Sequence, residues 1–137
     1  MFVQKTFQIK TPGAGFHLIT QQVMAHLPSL PKHGLMNLFL QHTSAALSIN
    51  ENADSAVRVD LKAIFDRLVK ERESYYTHTL EGADDMPAHA KSTLVGASLN
   101  IPIMDNTLGL GMWQGIYLCE FRSQPHTRSL VITVFGE

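Results

Sequence analysis

Three histidines in polar surroundings are the first residues whose type suggests chemistry: His42, His78 and His89. Imidazole is the commonest protein ligand for transition metals, and its neutral form also serves as a general base. If folding brings the three together, they would form a three-nitrogen site for zinc or a similar ion, with a position open for water or substrate. The chain has no short zinc signature such as His-Glu-x-x-His. The alternative is therefore three loop histidines that only form hydrogen bonds.

Two of these histidines belong to an acidic segment, Tyr75–Lys91, which also holds Glu81, Asp84 and Asp85. Three carboxylates this close repel one another unless a cation or a proton lies between them, although full solvation relieves the repulsion as well. Glycine and proline interrupt the segment, which predicts a long loop running into a helix near Pro87. Because long polar loops on a compact domain often hold binding and catalytic residues, we expect the working part of the protein here.

A further acid, Glu120, ends an apolar run and is expected to be partly buried. A buried carboxylate needs a partner, and the candidates are Gln114, Arg122 and Arg128. Either Glu81 or Glu120 would accept a proton, or would orient an imidazole or a bound water. The single cysteine, Cys119, has no adjacent base and is predicted to be a core residue rather than a nucleophile.

His89 is predicted to lie in the first turn of a helix, where the positive end of the macrodipole disfavours imidazolium. A neutral histidine there is available as a ligand or a base. The free N–H groups of the same turn, together with Lys91 and Ser92, would hold an anion such as phosphate. The alternative is that Lys91 and Ser92 are ordinary solvated helix residues.

The elements that position these residues are mostly strands. Alternating or continuous apolar runs predict seven of them, with a tight turn before the second that returns it beside the first: Phe2–Lys10, Phe16–Thr20, Gly34–Leu40 (a central strand covered on both faces), Ala45–Ile49, Ser98–Met104, Trp113–Phe121 and Ser129–Phe135. One long helix follows the capping residues Asn50–Asp54, with an apolar stripe that includes Leu61 and Phe65. Short helices are predicted over Gln21–Leu27 and Pro87–Gly96. Trp113 is expected to be packed; the alternative is that it lines a pocket together with Gln114.

Strands dominate and no β-α-β alternation is visible, so we predict an α+β fold. Its main part would be an antiparallel β-sandwich, jelly-roll-like, with one long and one or two short flanking helices. At 137 residues the chain is expected to form one domain, 1–137. The net charge of −1 comes with no basic cluster, which argues against nucleic-acid binding. No signal pattern or membrane-length apolar run is present, so a soluble, cytoplasmic protein is expected.

Several strings in the chain resemble the secondary thiamine-phosphate synthase family, also called YjbQ-like. They follow one another in the family's order over nearly the full chain: His42–Leu47 (HTSAAL), Asn50–Asp54 (NENAD), Tyr76–His78 (YTH), Glu81–Lys91 (EGADDMPAHAK) and Leu110–Glu120 (LGMWQGIYLCE). The resemblance implies a β-sandwich with flanking helices, assembled as a homotrimer with pockets near the subunit boundaries. It also implies a weak activity that joins hydroxymethylpyrimidine diphosphate to thiazole phosphate.

The resemblance also implies roles for specific residues. The three histidines match the family's histidine positions and are the expected ligands of a divalent ion, zinc or magnesium. The expected catalytic carboxylates are Glu81, Asp85 and Glu120, and the expected substrate-binding residues are Thr43, Ser44, Lys91 and Gln114. The partner would be a small phosphorylated molecule.

Two other functions remain open from the residues themselves. One is a metal-dependent hydrolase or lyase built on the three histidines. The other is a protein without catalytic activity that binds a small anionic metabolite or a metal. Against the transferase, the chain has no Asp-rich diphosphate motif and no phosphate-binding glycine loop.

Overall fold

A computed structural model describes all 137 residues and contains eight strands and three helices. In chain order they are β1 (Phe2–Thr11), β2 (Gly15–Leu18), α1 (Thr20–Ala25), β3 (His33–Leu40), β4 (Ala45–Glu51), α2 (Ser55–Leu68), α3 (Asp85–Val95), β5 (Ser98–Met104), β6 (Thr107–Leu108), β7 (Gln114–Glu120) and β8 (His126–Gly136). None of the helices is long and apolar enough to span a membrane.

The strands form two hydrogen-bonded sheets in which every pair is antiparallel. The larger sheet has the order β1-β8-β3-β5-β6, and the smaller one has the order β2-β7-β4. Strand β8 therefore lies inside the larger sheet and β7 in the centre of the smaller one. The α+β class is confirmed.

Side-chain alternation along β7 divides the interior into two apolar clusters. Ile116 and Leu118 join the larger cluster, which also contains the inward residues of β1, β3, β5 and β8. Tyr117 and Cys119 point the other way and join a smaller cluster with Phe16. Helices α2 and α3 cover this second face, so β7 is buried on both sides.

The long helix α2 packs less deeply than its apolar stripe predicts. None of its residues is buried, although Leu61 and Phe65 pack against the smaller cluster. The ring of Phe65 lies 5.5 Å from that of Phe16 and 6.2 Å from that of Phe121, measured between centroids. Asp54 accepts a hydrogen bond from the Ala56 N–H, which confirms the predicted cap.

Several sequence predictions were wrong. Strand β2 does not return beside β1: it pairs with β7 in the other sheet, while β1 pairs with β8. The turn at residues 12–14 thus carries the chain between sheets, which local sequence does not reveal.

Two predictions about burial were also wrong. Strand β3 is central but not covered on both faces, since Phe39 is 45% exposed. Trp113 is not packed, being 61% exposed.

A buried ion pair lies at one end of the core between the two sheets. Glu120 is fully buried at the end of β7, and Arg128 is 3% exposed on the inward face of β8. The Arg128 guanidinium donates from Nε and Nη2 to the two carboxylate oxygens of Glu120. The hydroxyl of Thr11 donates to the same carboxylate at 2.7 Å, and Ser44 Oγ accepts from Arg128 at 3.0 Å. The prediction that Glu120 is buried and partnered is confirmed.

We expect Phe65→Ala to lower the free energy of unfolding by about 2–3 kcal/mol, because it removes a ring that packs against two others, tilted against Phe16 and stacked on Phe121. Phe2→Ala is the matched control, since Phe2 is 70% exposed and its removal is expected to cost less than about 0.5 kcal/mol. Urea unfolding of both variants measures the difference. Equal costs would show that α2 does not rely on this contact.

Glu120 also predicts a pH dependence of stability. Burial raises the pKa of its carboxyl, but the hydrogen bonds from Arg128 and Thr11 lower it by more, so the pKa lies below its ordinary value of 4.5. Because the folded pKa is below the unfolded one, the contribution of Glu120 is complete above about pH 4.5 and is lost as pH falls through the folded pKa.

Glu120→Gln is therefore expected to destabilise the protein by about 3–5 kcal/mol at pH 7, because it leaves the Arg128 charge buried and unpaired. The difference in the free energy of unfolding between Glu120→Gln and wild type should become smaller as pH falls below the ordinary pKa of a glutamate. Urea unfolding at a series of pH values measures it, with the exposed Glu71→Gln as control. A difference that does not change with pH would contradict the assignment.

Candidate functional site

The start of α3 brings two histidines and one carboxylate together. Asp85 and His89 are four residues apart and so share one face of the helix, and the preceding loop brings His78 over the same face. Asp85 Oδ2 lies 2.7 Å from His78 Nε2 and 3.2 Å from His89 Nε2. Each residue offers one atom that could bind a metal ion, and these three atoms lie within 4.8 Å of one another. We name the three residues the His–Asp–His group.

The hydrogen bond on the far side of the His89 ring defines its tautomer. Its Nδ1 lies 2.8 Å from the carbonyl oxygen of Thr43. Because a carbonyl oxygen only accepts, Nδ1 must carry a proton. If the ring is neutral, Nε2 then carries no proton, and its lone pair faces the carboxylate oxygen of Asp85. Two acceptors at this distance repel one another unless His89 is protonated or a cation lies between them.

Asp85 is 4% exposed and is held by a cation on its other oxygen. Arg122 donates from Nη1 to Asp85 Oδ1 at 2.8 Å, from Nε to Asp84 Oδ2 at 2.9 Å and from Nη2 to the backbone oxygen of Glu81 at 2.9 Å. The Ser123 N–H donates to Asp84 as well. Arg122 thus relieves the repulsion between the acids and fixes the loop that carries them.

The charges around Asp85 keep it ionised at neutral pH. Burial raises the pKa of its carboxyl, but the hydrogen bond from His78 and the nearby His89 and Arg122 lower it by more. The pKa therefore lies below the ordinary value of 3.8. A carboxylate oxygen that is ionised at neutral pH and lies between two imidazole nitrogens is suited to hold a cation or a proton.

The group is open to a cleft on the side of His78. The His78 side chain is 48% exposed and lines a cleft of about 240 Å³ together with Arg72 and Tyr76. A larger cleft of about 610 Å³ lies next to it, lined by the C-terminal end of α2 and by Tyr75. Tyr76 and Met86 line both clefts. A small molecule therefore has room beside the His–Asp–His group.

The third predicted ligand, His42, is not part of this group. Its Nε2 accepts a hydrogen bond from the Ser129 N–H at 2.7 Å, so the nitrogen is already occupied. Burial and, secondarily, the charge of Arg128 hold the pKa of His42 below its ordinary value of 6.5. The structure therefore replaces the predicted three-nitrogen face by two nitrogens and one carboxylate oxygen.

Among the predicted catalytic acids, only Asp85 contributes its carboxylate to the group. Glu81 adds its backbone oxygen to the Arg122 contacts, and its own carboxylate is exposed and free of protein hydrogen bonds. The carboxylate of Glu120 lies in the buried ion pair with Arg128. Cys119 is buried, as expected, and burial raises the pKa of its thiol to about 12.

The predicted substrate-binding residues mostly have protein partners. Lys91 is 7% exposed and donates to Asp66 at 2.8 Å, so it is not a solvated residue. Ser44 is buried against Arg128, and the carbonyl of Thr43 holds His89. Gln114 begins β7, the seven-residue strand that Glu120 ends, and so lies about 20 Å from the site end of that strand.

Two features of the site differ from what the sequence predicts. The sequence predicts Arg122 only as a partner of Glu120, although an arginine just beyond a strand end is free to turn toward a neighbouring loop. Helix α3 begins at Asp85, not near Pro87, so His89 lies in its second turn, where the macrodipole acts less strongly on it. Ser92 donates to the Ala45 oxygen, so it is no free anion ligand.

The chain is similar to proteins from several bacteria and archaea. A family model described as "UPF0047 protein YjbQ-like" matches residues 5–137. The UPF0047 protein YjbQ of Escherichia coli O157:H7 is 42% identical over 139 residues, covering 100% of both chains. A UPF0047 protein of Synechocystis is 44% identical over 98% of this chain and 92% of its own.

Solved structures share the fold. A conserved hypothetical protein from Thermus thermophilus has a TM-score of 0.82 and 35% identity, over 93% of this chain and 97% of its own. An uncharacterised conserved protein from Clostridium acetobutylicum has a TM-score of 0.82 and 32% identity, over 96% and 99%. None of these descriptions mentions thiamine-phosphate synthase, so only the YjbQ-like part of the predicted family is supported. The chain belongs to the UPF0047 YjbQ-like family.

Proposed function

We propose that the His–Asp–His group binds a divalent metal ion through His78 Nε2, Asp85 Oδ2 and His89 Nε2. The observation that carries this proposal is the setting of His89: its Nδ1 donates to the Thr43 carbonyl, and its Nε2 faces Asp85 Oδ2 at 3.2 Å, where the two atoms repel one another unless a proton or a cation lies between them. A metal between the two turns that repulsion into coordination. In a tetrahedral site with bonds of about 2.0–2.1 Å, neighbouring ligand atoms lie about 3.3 Å apart, which is close to this distance. The 2.7 Å between His78 Nε2 and Asp85 Oδ2 is shorter, so the exposed His78 ring would have to move outward when the metal binds.

The surroundings of the group support the proposed metal centre. Metal-binding histidines usually donate their other ring nitrogen to a carbonyl or carboxylate, as His89 does to Thr43. Arg122 holds the second oxygen of Asp85, leaving the first for the metal. Two imidazoles and one carboxylate favour zinc over magnesium, because magnesium prefers oxygen ligands throughout.

We propose a metal-dependent hydrolase or lyase that acts on a small anionic molecule. A bound divalent ion would polarise a substrate oxygen or lower the pKa of a water. Arg72 lines the cleft next to His78 together with Glu73; it pairs with Glu71 at 3.2 Å and would have to exchange that partner to bind an anionic group. Glu81, with its exposed carboxylate in the same loop, is the proposed proton acceptor. The thiamine-phosphate synthase activity stays a prediction, and no contact in the site favours it over other reactions on phosphorylated molecules.

A second candidate function follows from the shortest contact in the group. The 2.7 Å contact between His78 and Asp85 is also the geometry of a histidine oriented by a carboxylate for metal-free general base catalysis. In that case His78 Nε2 carries the proton and Nδ1 is the base. Metal content separates the two candidates.

Removing any one of the three proposed ligands should remove the metal. We expect wild-type protein, purified without an affinity tag, to contain about one zinc per chain, and His78→Ala, Asp85→Asn and His89→Ala to contain almost none. Elemental analysis with protein quantification measures this. Hydrolysis of p-nitrophenyl phosphate, a generic anionic probe, should fall with the metal content.

The matched control is His33→Ala, because His33 is exposed at the far end of β3 and lies outside the group. It should retain both metal and folding. Metal-free wild-type protein that cannot be loaded with zinc would contradict the metal site. Retained activity in that protein, lost in His78→Ala and Asp85→Asn, would support the metal-free base.

We also propose that the two sheets form the predicted jelly-roll-like sandwich and that the chain assembles as a homotrimer. The shared core between the sheets supports the first proposal. The second is supported by large apolar side chains left exposed on the helices, namely Val59, Ile64, Leu68 and Leu94, each more than half exposed. Burying such residues between subunits would be favourable.

Gel filtration coupled to light scattering should give a mass about three times the 15.2 kDa of one chain. We expect the trimer to persist into the low micromolar range. A mass equal to one chain across that range would contradict the assembly.

A further inference from the structure

The segment at residues 41–44, which carries the chain from β3 in one sheet to β4 in the other, is anchored at successive positions. His42 accepts from Ser129, the Thr43 carbonyl accepts from His89, and Ser44 accepts from Arg128. The segment therefore connects the larger sheet, the buried ion pair and α3. Its residue Thr43 is the one that touches the His–Asp–His group.

His42 replaces a backbone acceptor in the sheet. In an antiparallel ladder a hydrogen-bonded pair exchanges two N–H···O bonds. Gln41 and Ser129 form one of them, from the Gln41 N–H to the Ser129 oxygen at 3.1 Å. The Ser129 N–H goes instead to His42 Nε2 at 2.7 Å. The imidazole thus holds the chain to β8 at the point where it leaves the strand.

This contact fixes the position of the next residue. Thr43 follows His42 directly, and its carbonyl at 2.8 Å is what keeps the proton of His89 on Nδ1. If the 41–44 segment moved, that carbonyl would move with it, and His89 would be free to turn or to change tautomer. His89 Nε2 would then no longer face Asp85.

We propose that His42 is a positioning residue for the His–Asp–His group: by accepting the Ser129 N–H, it places the Thr43 carbonyl that orients His89. This inference rests on the proposed metal site but assigns His42 a role different from that of a ligand. The role requires a neutral acceptor of the right reach. Burial disfavours the imidazolium form of His42, and the nearby Arg128 acts in the same direction.

The test compares His42→Ala with His42→Gln, whose side-chain amide oxygen can replace Nε2 as a neutral acceptor. Zinc affinity is measured by competition with a chromophoric chelator, and stoichiometry is measured at saturating zinc. We expect His42→Ala to bind one zinc per chain with a Kd weakened by about 10–100-fold, as for other changes outside the ligand set. His42→Gln should lie close to wild type, and His89→Ala should lose the site.

A second readout does not depend on metal. Long-range ¹H–¹⁵N spectra of the metal-free protein report the tautomer of each histidine, and His89→Ala identifies the His89 signals. We expect His89 Nδ1 to carry a proton in wild type and in His42→Gln, in either the neutral or the protonated ring, and to lose that proton in a fraction of the His42→Ala molecules. Thermal unfolding checks that each variant is folded. Should His42→Ala fail to fold, His42→Asn replaces it, because its shorter side chain withdraws the acceptor.

The inference would be overturned by an unchanged zinc affinity, or by an unchanged proton position on His89, in the variant that removes the acceptor. Loss of all zinc in that variant at saturation would also overturn it, since His42 would then behave as a ligand. If wild type binds no zinc, the proposed metal site fails, and the tautomer measurement alone decides the role of His42.

Discussion

The buried pair between Glu120 and Arg128 is the interaction on which the arrangement of the two sheets depends. It joins β7, the centre of the smaller sheet, to β8, inside the larger one. Two charges removed from water are stable only when each is paired and hydrogen-bonded. Thr11 and Ser44 complete that requirement, so β1 and the 41–44 segment are fixed at the same place.

The candidate site is built outward from this pair. The Arg122 N–H donates to Glu120 at 3.2 Å, while the Arg122 guanidinium reaches Asp84 and Asp85. On the other side, Ser44 contacts Arg128 and the preceding residue, Thr43, contacts His89. The His–Asp–His group is therefore attached to the ion pair by two short routes. Positions set in this way are more rigid than those of an acidic loop held only by its own contacts.

The division of roles among the histidines follows from their partners rather than from their residue type. His42 has a buried backbone donor, which favours a neutral acceptor. His89 has a carbonyl on one nitrogen and a carboxylate on the other, which leaves its second nitrogen in need of a proton or a cation. His78 has the same carboxylate but an exposed ring, which leaves it accessible from the cleft. Three identical side chains thus have three roles: His42 makes a fixed contact, His89 presents an oriented nitrogen, and His78 presents an accessible one.

Much of this protein follows from sequence alone. Alternation and capping residues determine where most strands and α2 lie, and the position of Glu120 after an apolar run predicts its burial. The segment Tyr75–Lys91 contains all three members of the His–Asp–His group in one stretch. These predictions succeed because they depend on contacts between residues near in sequence or on the burial of a single strand face.

The tertiary structure alone decided which strands pair and which histidine leaves the group. The pairing of β2 with β7 and of β1 with β8 joins residues about a hundred or more positions apart, and no local pattern records such a choice. His42 lies outside the group because its Nε2 accepts the Ser129 N–H, which is 87 residues away in sequence. That N–H is available only because β3 ends at Leu40. Sequence specifies the chemical types present, whereas the hydrogen-bond partner that fixes each tautomer exists only once the sheets have come together.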